Sequence, residues 1–192
     1  MASEPTLLLD ANVLYPFHLR NLLVQLAVDG LIAARWTDAI HAEWIDNLVA
    51  TGRVTRERLL RTRDIMNRVL PNAMVSGYEH HIATLLLPDP GDRHVLAAAI
   101  EAQATILTFN LRDFPAAVLA PFGLTARDPD DVLCSLYRDD AEAVTAVVET
   151  ARLNLRVTTP TRAHFLEALA DQRLSTFVAQ LRNVGYPDEQ LG

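Results

Sequence analysis

The chain has 192 residues, half of them hydrophobic, and a formal net charge of −7. This composition predicts a globular core, and the acidic balance argues against a protein that coats nucleic acid non-specifically. The single cysteine, Cys134, excludes an internal disulfide, and the absence of lysine excludes Schiff-base chemistry. No apolar run approaches the ~20 residues of a membrane span and the N-terminus lacks signal-peptide features, so we expect a cytoplasmic protein.

Up to residue 137 the predicted elements alternate between strands and helices. In chain order they are strand 6–10, helix 15–29, strand 32–36, helix 38–50, one or two helices over 54–70, strand 73–75, a stretch of ambiguous type over 79–87, helix 92–102, strand 105–109, and short helices over 114–119 and 132–137. The apolar runs of the strands do not alternate with polar residues, which is typical of parallel strands covered on both faces. We therefore predict an α/β three-layer sandwich with a central, mainly parallel sheet.

The chain changes character after residue 137. Residues 142–155 and 160–184 carry apolar residues at helical spacing, and Thr159 is the predicted cap of the second helix, with Pro160 at its first position. Neither helix carries a chemical motif. We predict two domains, an α/β domain over residues 1–137 and a helical extension over residues 138–192 that supports partner or self-association.

Acidic or amide side chains lie next to four of the apolar runs. They occur in the stretches Leu9-Asp10-Ala11-Asn12, His41-Ala42-Glu43, Pro88-Asp89-Pro90-Gly91-Asp92 and Phe109-Asn110-Leu111-Arg112-Asp113. The carboxyl ends of parallel strands share one edge of the sheet, where ligands bind, so we expect these side chains to converge there. Converging carboxylates stay ionised near neutral pH only if a cation neutralises them, and oxygen ligands suit Mg²⁺ or Mn²⁺. The pattern indicates metal-assisted phosphodiester chemistry.

The same motifs resemble those of PIN-domain ribonucleases, the fold of VapC-type toxins from bacterial toxin–antitoxin systems. The matching pieces are Asp10-Ala11-Asn12-Val13-Leu14, Glu43, Asp92-Arg93-His94-Val95-Leu96-Ala97-Ala98-Ala99 and Thr108-Phe109-Asn110-Leu111-Arg112-Asp113-Phe114. The resemblance covers about residues 5–137 and implies that residues 1–137 are a PIN-like nuclease domain. The implied activity is a Mg²⁺- or Mn²⁺-dependent endoribonuclease that hydrolyses RNA with metal-activated water, leaving 5′-phosphate and 3′-hydroxyl ends. A cognate antitoxin and a homodimer are also implied.

Carried over position by position, the resemblance implies four catalytic carboxylates, Asp10, Glu43, Asp92 and Asp113. Asp10 would be the central metal ligand, Asp92 would be another, and Asn110 or Asp113 would complete the site. Asn12 resembles the polar residue that supports the first aspartate. Many relatives have aspartate where this chain has Asn110, and an amide oxygen binds a metal without adding charge. The choice between Asn110 and Asp113 as fourth ligand stays open.

Six of the 17 arginines lie between Arg53 and Arg68. We predict RNA contact by Arg53, Arg56 and Arg61, because arginine binds phosphate through paired N–H groups. A solvated helix face, balanced by neighbouring acidic residues, or an antitoxin-docking surface explains the cluster equally well. The six histidines show no zinc-site spacing and are predicted to be surface or partly packed residues.

Two other functions stay open from the sequence. A catalytically silent PIN-like module would keep the fold and act through binding alone. An aspartate-based phosphatase also begins with a strand that ends in aspartate, but Asp10-Ala11-Asn12 lacks the second aspartate, and the chain has no lysine. No motif identifies the RNA or the antitoxin, because RNA recognition depends on loop shape and splayed bases.

Overall fold

The computed structural model describes residues 4–159 and 161–183. The described chain divides into two compact units. The first contains the N-terminal residues up to Tyr15 together with Ile32–Asp128, and the second contains Pro16–Leu31 together with the chain from Pro129 onward. Each unit is therefore built from two separate stretches of sequence.

The helices and strands follow in a regular order. They are β1 (Thr6–Leu9), α1 (Ala11–Leu14), α2 (Phe17–Val28), β2 (Ala33–Arg35), α3 (Asp38–Ala50), α4 (Arg56–Val69), α5 (Glu79–Ile82), α6 (Arg93–Ala102), β3 (Thr105–Leu107), α7 (Ala116–Leu119), β4 (Ala126–Arg127), α8 (Pro129–Asp139), α9 (Ala141–Asn154), α10 (Arg162–Asp171) and α11 (Ser175–Asn183). Short 3₁₀ turns occupy Pro90–Asp92, Leu111–Asp113 and Ala120–Phe122.

The first unit is organised around a four-stranded sheet. Its strands run in the order β2-β1-β3-β4, and every pairing is parallel. The central strand β1 carries Leu7, Leu8 and Leu9, all buried, because helices cover both faces of such a sheet. Leu9 lies opposite Leu107 of β3, so the two strands end at the same level. The predicted α/β fold with a parallel sheet and a C-terminal helical segment is confirmed.

Two strand assignments from the sequence are wrong. The predicted strand over residues 73–75 is a single parallel bridge between Trp36 and Met74, since the turn at Gly77 follows directly. Residues 126–127, where no strand was predicted, form the edge strand β4, and Thr108 donates its N–H to the carbonyl of Arg127. A two-residue strand is too short to show a hydrophobic period.

The predicted helix over residues 15–29 is α2, which begins at Phe17, and the one-turn α1 precedes the predicted range. Pro16 separates the one-turn α1 from α2, because proline has no N–H to continue the hydrogen-bond ladder. The break also separates the two units, since α1 belongs to the first and α2 to the second. Asp10, the N-cap of α1, therefore stays with the sheet.

Helix α2 belongs to the core of the second unit. Four of its leucines, Leu19, Leu22, Leu23 and Leu26, are at most 1% exposed, and the helix packs against α9 and α10. Asn21 donates to the carbonyl of Ala151 at 2.8 Å. Gln172 accepts from the N–H of Leu19 at 2.8 Å and donates to Nδ1 of His18 at 3.0 Å. The C-terminal helices therefore depend on an element that precedes β2 in the sequence.

The predicted helix over residues 160–184 is two helices, α10 and α11. Arg173 lies between them with φ of 70°, in the left-handed region that ends a helix. Thr161, not Thr159, caps α10, because its side chain accepts from the N–H of His164. The side chain of Thr159 is buried and hydrogen-bonded to His18 instead. Pro160 and the predicted helix end at Val184 lie outside the described residues.

The domain boundary predicted between residues 137 and 138 falls inside α8. All of α8 belongs to the second unit, and the first unit ends at Asp128. Asp130, at the start of α8, accepts hydrogen bonds from the N–H groups of Thr176 and Phe177 at the start of α11. The first turn of α8 is therefore tied to the last described helix.

A chain that ends at Asp128 should aggregate or bind a hydrophobic dye, because it keeps the four buried leucines of α2 but loses the helices that cover them. Each leucine loses about 2 kcal/mol of burial free energy on exposure. Size-exclusion chromatography and dye fluorescence measure the effect.

The matched control is the same truncated chain with all four α2 leucines replaced by serine. We expect this control to be monodisperse with the first unit folded. A truncated chain with native leucines that stays monodisperse and binds no dye would contradict the assignment of α2 to the second unit.

Candidate metal centre

Asp10 lies at the carboxyl end of the central strand. Its backbone N–H donates to the carbonyl of Leu107, which continues the β1–β3 pairing by one residue. It is the N-cap of α1, and its Oδ1 accepts from the N–H of Ala11 at 2.7 Å. The residue is 4% exposed, so a carboxylate is buried at the edge of the sheet where parallel folds bind ligands.

The second oxygen of Asp10 is held by two side-chain donors. Oδ2 accepts from the hydroxyl of Thr108 at 2.7 Å and from the amide of Asn12 at 2.6 Å. Thr108 accepts in turn from Asn12 at 2.8 Å and from the N–H of Asn110 at 3.0 Å. The amide oxygen of Asn12 accepts from the N–H of Phe109 at 3.0 Å. This network joins the ends of β1 and β3 and orients Asp10.

Thr108 had no predicted role in the site. The residue is fully buried and is the first after β3, as Asp10 is the first after β1. Since Leu9 lies opposite Leu107, the parallel register brings Thr108 beside Asp10. The register of β1 and β3, had it been known, would have identified Thr108 as the partner of Asp10.

Burial raises the pKa of Asp10 above its ordinary value of 3.8, and the charge of Glu43 raises it further. The hydrogen bonds from Thr108 and Ala11, together with the nearby His94, lower the pKa and oppose the effect of burial. The network therefore stabilises the charged form without fully offsetting the loss of water.

Glu43 projects from the second turn of α3 and faces His94 of α6. The Nε2 of His94 lies 3.6 Å from Oε2 of Glu43. The Nδ1 of His94 is buried and finds no hydrogen-bond partner among the described residues. His94 was predicted to be a surface or partly packed residue without a function. In the structure one of its ring nitrogens faces Glu43, and the residue lowers the pKa of Asp10.

A buried network positions α3, which carries Glu43. His41 is 1% exposed, and its Nδ1 accepts from the indole N–H of Trp44 at 3.0 Å. Its Nε2 lies 3.2 Å from Oδ1 of Asn67 on α4, which also accepts from the indole of Trp36 at 2.8 Å. One amide thus ties α3 and α4 to the end of β2.

Asp92 ends a 3₁₀ turn and directly precedes α6. Its side chain does not cap the helix, whereas Asp89 accepts from the N–H of Gly91 at 2.7 Å. Burial raises the pKa of Asp92 to about 6, and four negative neighbours contribute in the order Asp10, Asp89, Asp113 and Glu43. The predicted carboxylates therefore share one electrostatic neighbourhood.

Asn110 and Asp113 are paired with each other. The amide of Asn110 donates to Oδ2 of Asp113, and its Oδ1 accepts from Nε of Arg112 at 3.1 Å. The side chain of Asp113 is 16% exposed, and its charge acts on Asp92. Both residues lie at the short turn that follows β3, so either can contribute an oxygen to the same neighbourhood.

The donor set fits a hard divalent cation. The four acidic groups that act on Asp92 offer carboxylate oxygens, and Asn110, which is paired with Asp113, offers an amide oxygen. Beside these groups lies an open pocket of about 360 Å³, lined by Ala11, Asn12, Tyr15, Glu43 and Asn47. Excess negative charge with oxygen donors is the environment that Mg²⁺ or Mn²⁺ requires.

Of the three predicted RNA-contact arginines, two are paired with carboxylates. Arg56 lies 2.7 Å from Asp46, and Arg61 contacts Glu57 one turn earlier on α4. Arg53 precedes α4 and forms no ion pair within residues 4–159 and 161–183. RNA contact by these arginines stays a prediction. The guanidinium of Arg53 would not have to leave a carboxylate partner to bind an RNA phosphate, unlike those of Arg56 and Arg61.

Replacing Thr108 by valine should destabilise the protein by about 1–3 kcal/mol, because it removes a donor to buried Asp10 and an acceptor for the N–H of Asn110. Thr108→Ser keeps the hydroxyl and should lose only about 1 kcal/mol for its methyl group. Denaturant unfolding compares the two variants. A valine variant at least as stable as the serine variant would contradict the role of the hydroxyl.

Metal-free Asp92→Asn should be more thermostable than wild type at about pH 7.5, with the difference shrinking at about pH 5. The pKa of folded Asp92, about 6, exceeds its ordinary value of 3.8. The contribution of this group to stability is therefore fully present below pH 3.8 and is lost as the pH rises through about 6. Asparagine removes that loss.

Thermal unfolding in the presence of a chelator measures this difference. Glu167→Gln, an exposed carboxylate on α10, is the matched control and should show no such pH-dependent difference. An Asp92→Asn effect of the same size at both pH values would contradict the raised pKa.

Two family models and one curated relative match the sequence of this chain. A family model described as PIN domain matches residues 6–112, and one described as VapC50 C-terminal domain matches residues 129–183. A Mycobacterium tuberculosis (strain ATCC 25618 / H37Rv) protein named "Putative ribonuclease VapC50" is 35% identical over 117 residues, which are 60% of this chain and 68% of that protein. No solved structure gives a significant match.

The second family match begins at Pro129, the residue at which the chain enters the second unit for the second time. Within the described ranges, no helix combines the length and hydrophobicity that a membrane crossing requires. The match to the PIN-domain model covers more than half of the chain, and VapC50 stands in the name of both the C-terminal family model and the relative. The chain therefore belongs to the PIN-domain family and is of the VapC type.

Proposed function

We propose that this protein is a metal-dependent endoribonuclease, the toxin of a type II toxin–antitoxin pair. The family membership and the ribonuclease name of its relative support this activity. The observation that carries the proposal is the buried carboxylate of Asp10, oriented by Thr108, Asn12 and Ala11 at the carboxyl edge of the sheet, where the acidic neighbours Asp10, Asp89, Asp113 and Glu43 also act on Asp92. Such a site gains free energy when a divalent cation enters it.

Asp10 and Asp92 would hold the cation, with Asp113 or Asn110 as a further ligand. Asp10 is preorganised, because Thr108 and Asn12 fix one of its oxygens and the N–H of Ala11 fixes the other. When bound, Mg²⁺ or Mn²⁺ supplies Lewis acidity and lowers the pKa of water. Oδ1 of Asp10 accepts one of these hydrogen bonds and keeps a second lone pair for a cation, whereas Oδ2 accepts two.

Glu43 and His94 are the groups placed to hold or move a proton. Glu43 is exposed beside the open pocket, and His94 lies 3.6 Å from it. A carboxylate there accepts the proton of an attacking water, and the imidazole 3.6 Å away can orient that carboxylate or take the proton from it. Attack by water on an RNA phosphate leaves a 5′-phosphate and a 3′-hydroxyl, whereas attack by the ribose hydroxyl leaves a 2′,3′-cyclic phosphate.

RNA reaches this acidic edge only if positive charge offsets the repulsion of its phosphates. The cation supplies part of that charge, and Arg53, Arg56 and Arg61 are proposed to supply the rest. A cognate antitoxin, a homodimer and a cytoplasmic location are likewise proposed from the family resemblance.

The test is cleavage of total RNA by purified protein with Mg²⁺, Mn²⁺ or chelator. We expect discrete, metal-dependent cuts that end in 5′-phosphate and 3′-hydroxyl, and a loss of at least ~100-fold in Asp10→Asn. Thermal unfolding shows whether Asp10→Asn is folded, and Glu167→Gln serves as the exposed-carboxylate control with unchanged cleavage.

Cyclic phosphate ends would contradict hydrolysis by water. Cleavage that persists in chelator, or in folded Asp10→Asn, would contradict the metal site. Absence of any cleavage by folded protein free of copurified inhibitor would instead favour a catalytically silent PIN-like module.

A further inference from the structure

A second group of metal-ligating side chains lies outside the carboxylate site. It consists of His80 and His81 on α5 and Glu101 near the end of α6. One ring nitrogen from each histidine and one carboxylate oxygen of Glu101 lie within 4.8 Å of one another. The two helices pack together within the first unit, so the cluster is a product of the fold.

The spacing of these groups is close to that of ligands on one cation. Nε2 of His81 lies 3.5 Å from Oε2 of Glu101. Two ligands of a tetrahedral zinc ion, each about 2.0 Å from the metal, lie about 3.3 Å apart. The ring centroids of His80 and His81 are 3.8 Å apart, so the two imidazoles lie side by side.

The tautomer of His80 is also suited to metal binding. Its Nδ1 lies 2.7 Å from the carbonyl oxygen of Gly77, which only accepts, so Nδ1 carries the proton. Nε2 of the neutral ring then keeps its lone pair. Metal-binding histidines in proteins are commonly oriented by such a second hydrogen bond. Gly77, with φ of 80°, forms the turn that directs this carbonyl towards the ring.

The donor set selects a different ion from that of the carboxylate site. Two imidazole nitrogens and one carboxylate suit Zn²⁺ and neighbouring transition metals, whereas Mg²⁺ prefers oxygen alone. Glu101 stands nine positions after Asp92, about 13 Å along the axis of a helix. The two sites therefore lie at opposite ends of α6 and do not share ligands.

We propose that His80, His81 and Glu101 form a second cation site, specific for Zn²⁺-type ions, that clips α5 to the C-terminal end of α6. Water completes the coordination, because all three ligands are reachable from solvent. The clip fixes the start of the segment 83–89, which leads into Asp92. Zinc binding thereby restrains the loop that delivers a ligand to the other site.

The test is calorimetric titration of tag-free protein with Zn²⁺ in a buffer of excess Mg²⁺, which occupies the carboxylate site, and the melting experiments use the same buffer. We expect one site, weakened at least ~10-fold by His81→Ala or by Glu101→Gln. Two variants should keep the site: His164→Ala, an exposed histidine on α10, and Asp92→Asn at the carboxylate site. Zn²⁺ should raise the melting temperature of the wild type but not of the His80→Ala, His81→Ala double variant.

Co²⁺ gives a second readout, because its visible absorption reports nitrogen coordination. We expect a band in wild type and in Asp92→Asn that is absent from the folded double variant. Three outcomes would overturn the proposal: no Zn²⁺ binding, undiminished binding in the double variant, or loss of the site in Asp92→Asn alone. The last two would assign the ion to another place, and the first would leave His81–Glu101 as a simple ion pair.

Discussion

The buried carboxylate of Asp10 is the constraint on which the site depends. Removal of a charge from water costs several kcal/mol unless hydrogen bonds replace the water. Ala11, Asn12 and Thr108 provide that replacement, and Thr108 arrives from the neighbouring strand only because β1 and β3 end in register. The register of the sheet therefore determines both where Asp10 is held and whether its charge can be buried at the sheet edge.

The remaining carboxylates make this edge unfavourable for the protein alone and favourable for a cation. Burial and four negative neighbours raise the pKa of Asp92, and Nε2 of His94 lies 3.6 Å from Oε2 of Glu43. The fold thus holds carboxylates in mutual repulsion, and a bound divalent ion would lower this electrostatic energy. Perturbed pKa values of this kind are common at functional sites. Within the second unit, α2 packs against the C-terminal helices through buried leucines.

The parallel sheet and most of the carboxylate set could be predicted from local sequence. Non-alternating apolar runs indicate buried parallel strands, and polar residues at their ends indicate the ligand-binding edge. Thr108, His94 and the place of α2 could not, because their roles follow from contacts between residues distant in sequence. The break at Pro16 had a local signal, whereas the break at Arg173 had none, since a non-glycine residue adopts the left-handed conformation there.

The most direct measurement is a crystal structure of the protein grown with Mn²⁺ and recorded at a wavelength where manganese scatters anomalously. We predict an anomalous peak in contact with the carboxylates of Asp10 and Asp92, with Thr108 still hydrogen-bonded to Asp10. Crystals saturated with Mn²⁺ that show no peak beside Asp10, or a peak only at His80, His81 and Glu101, would contradict it. In that case the raised pKa of Asp92 would belong to an acidic cluster without a metal.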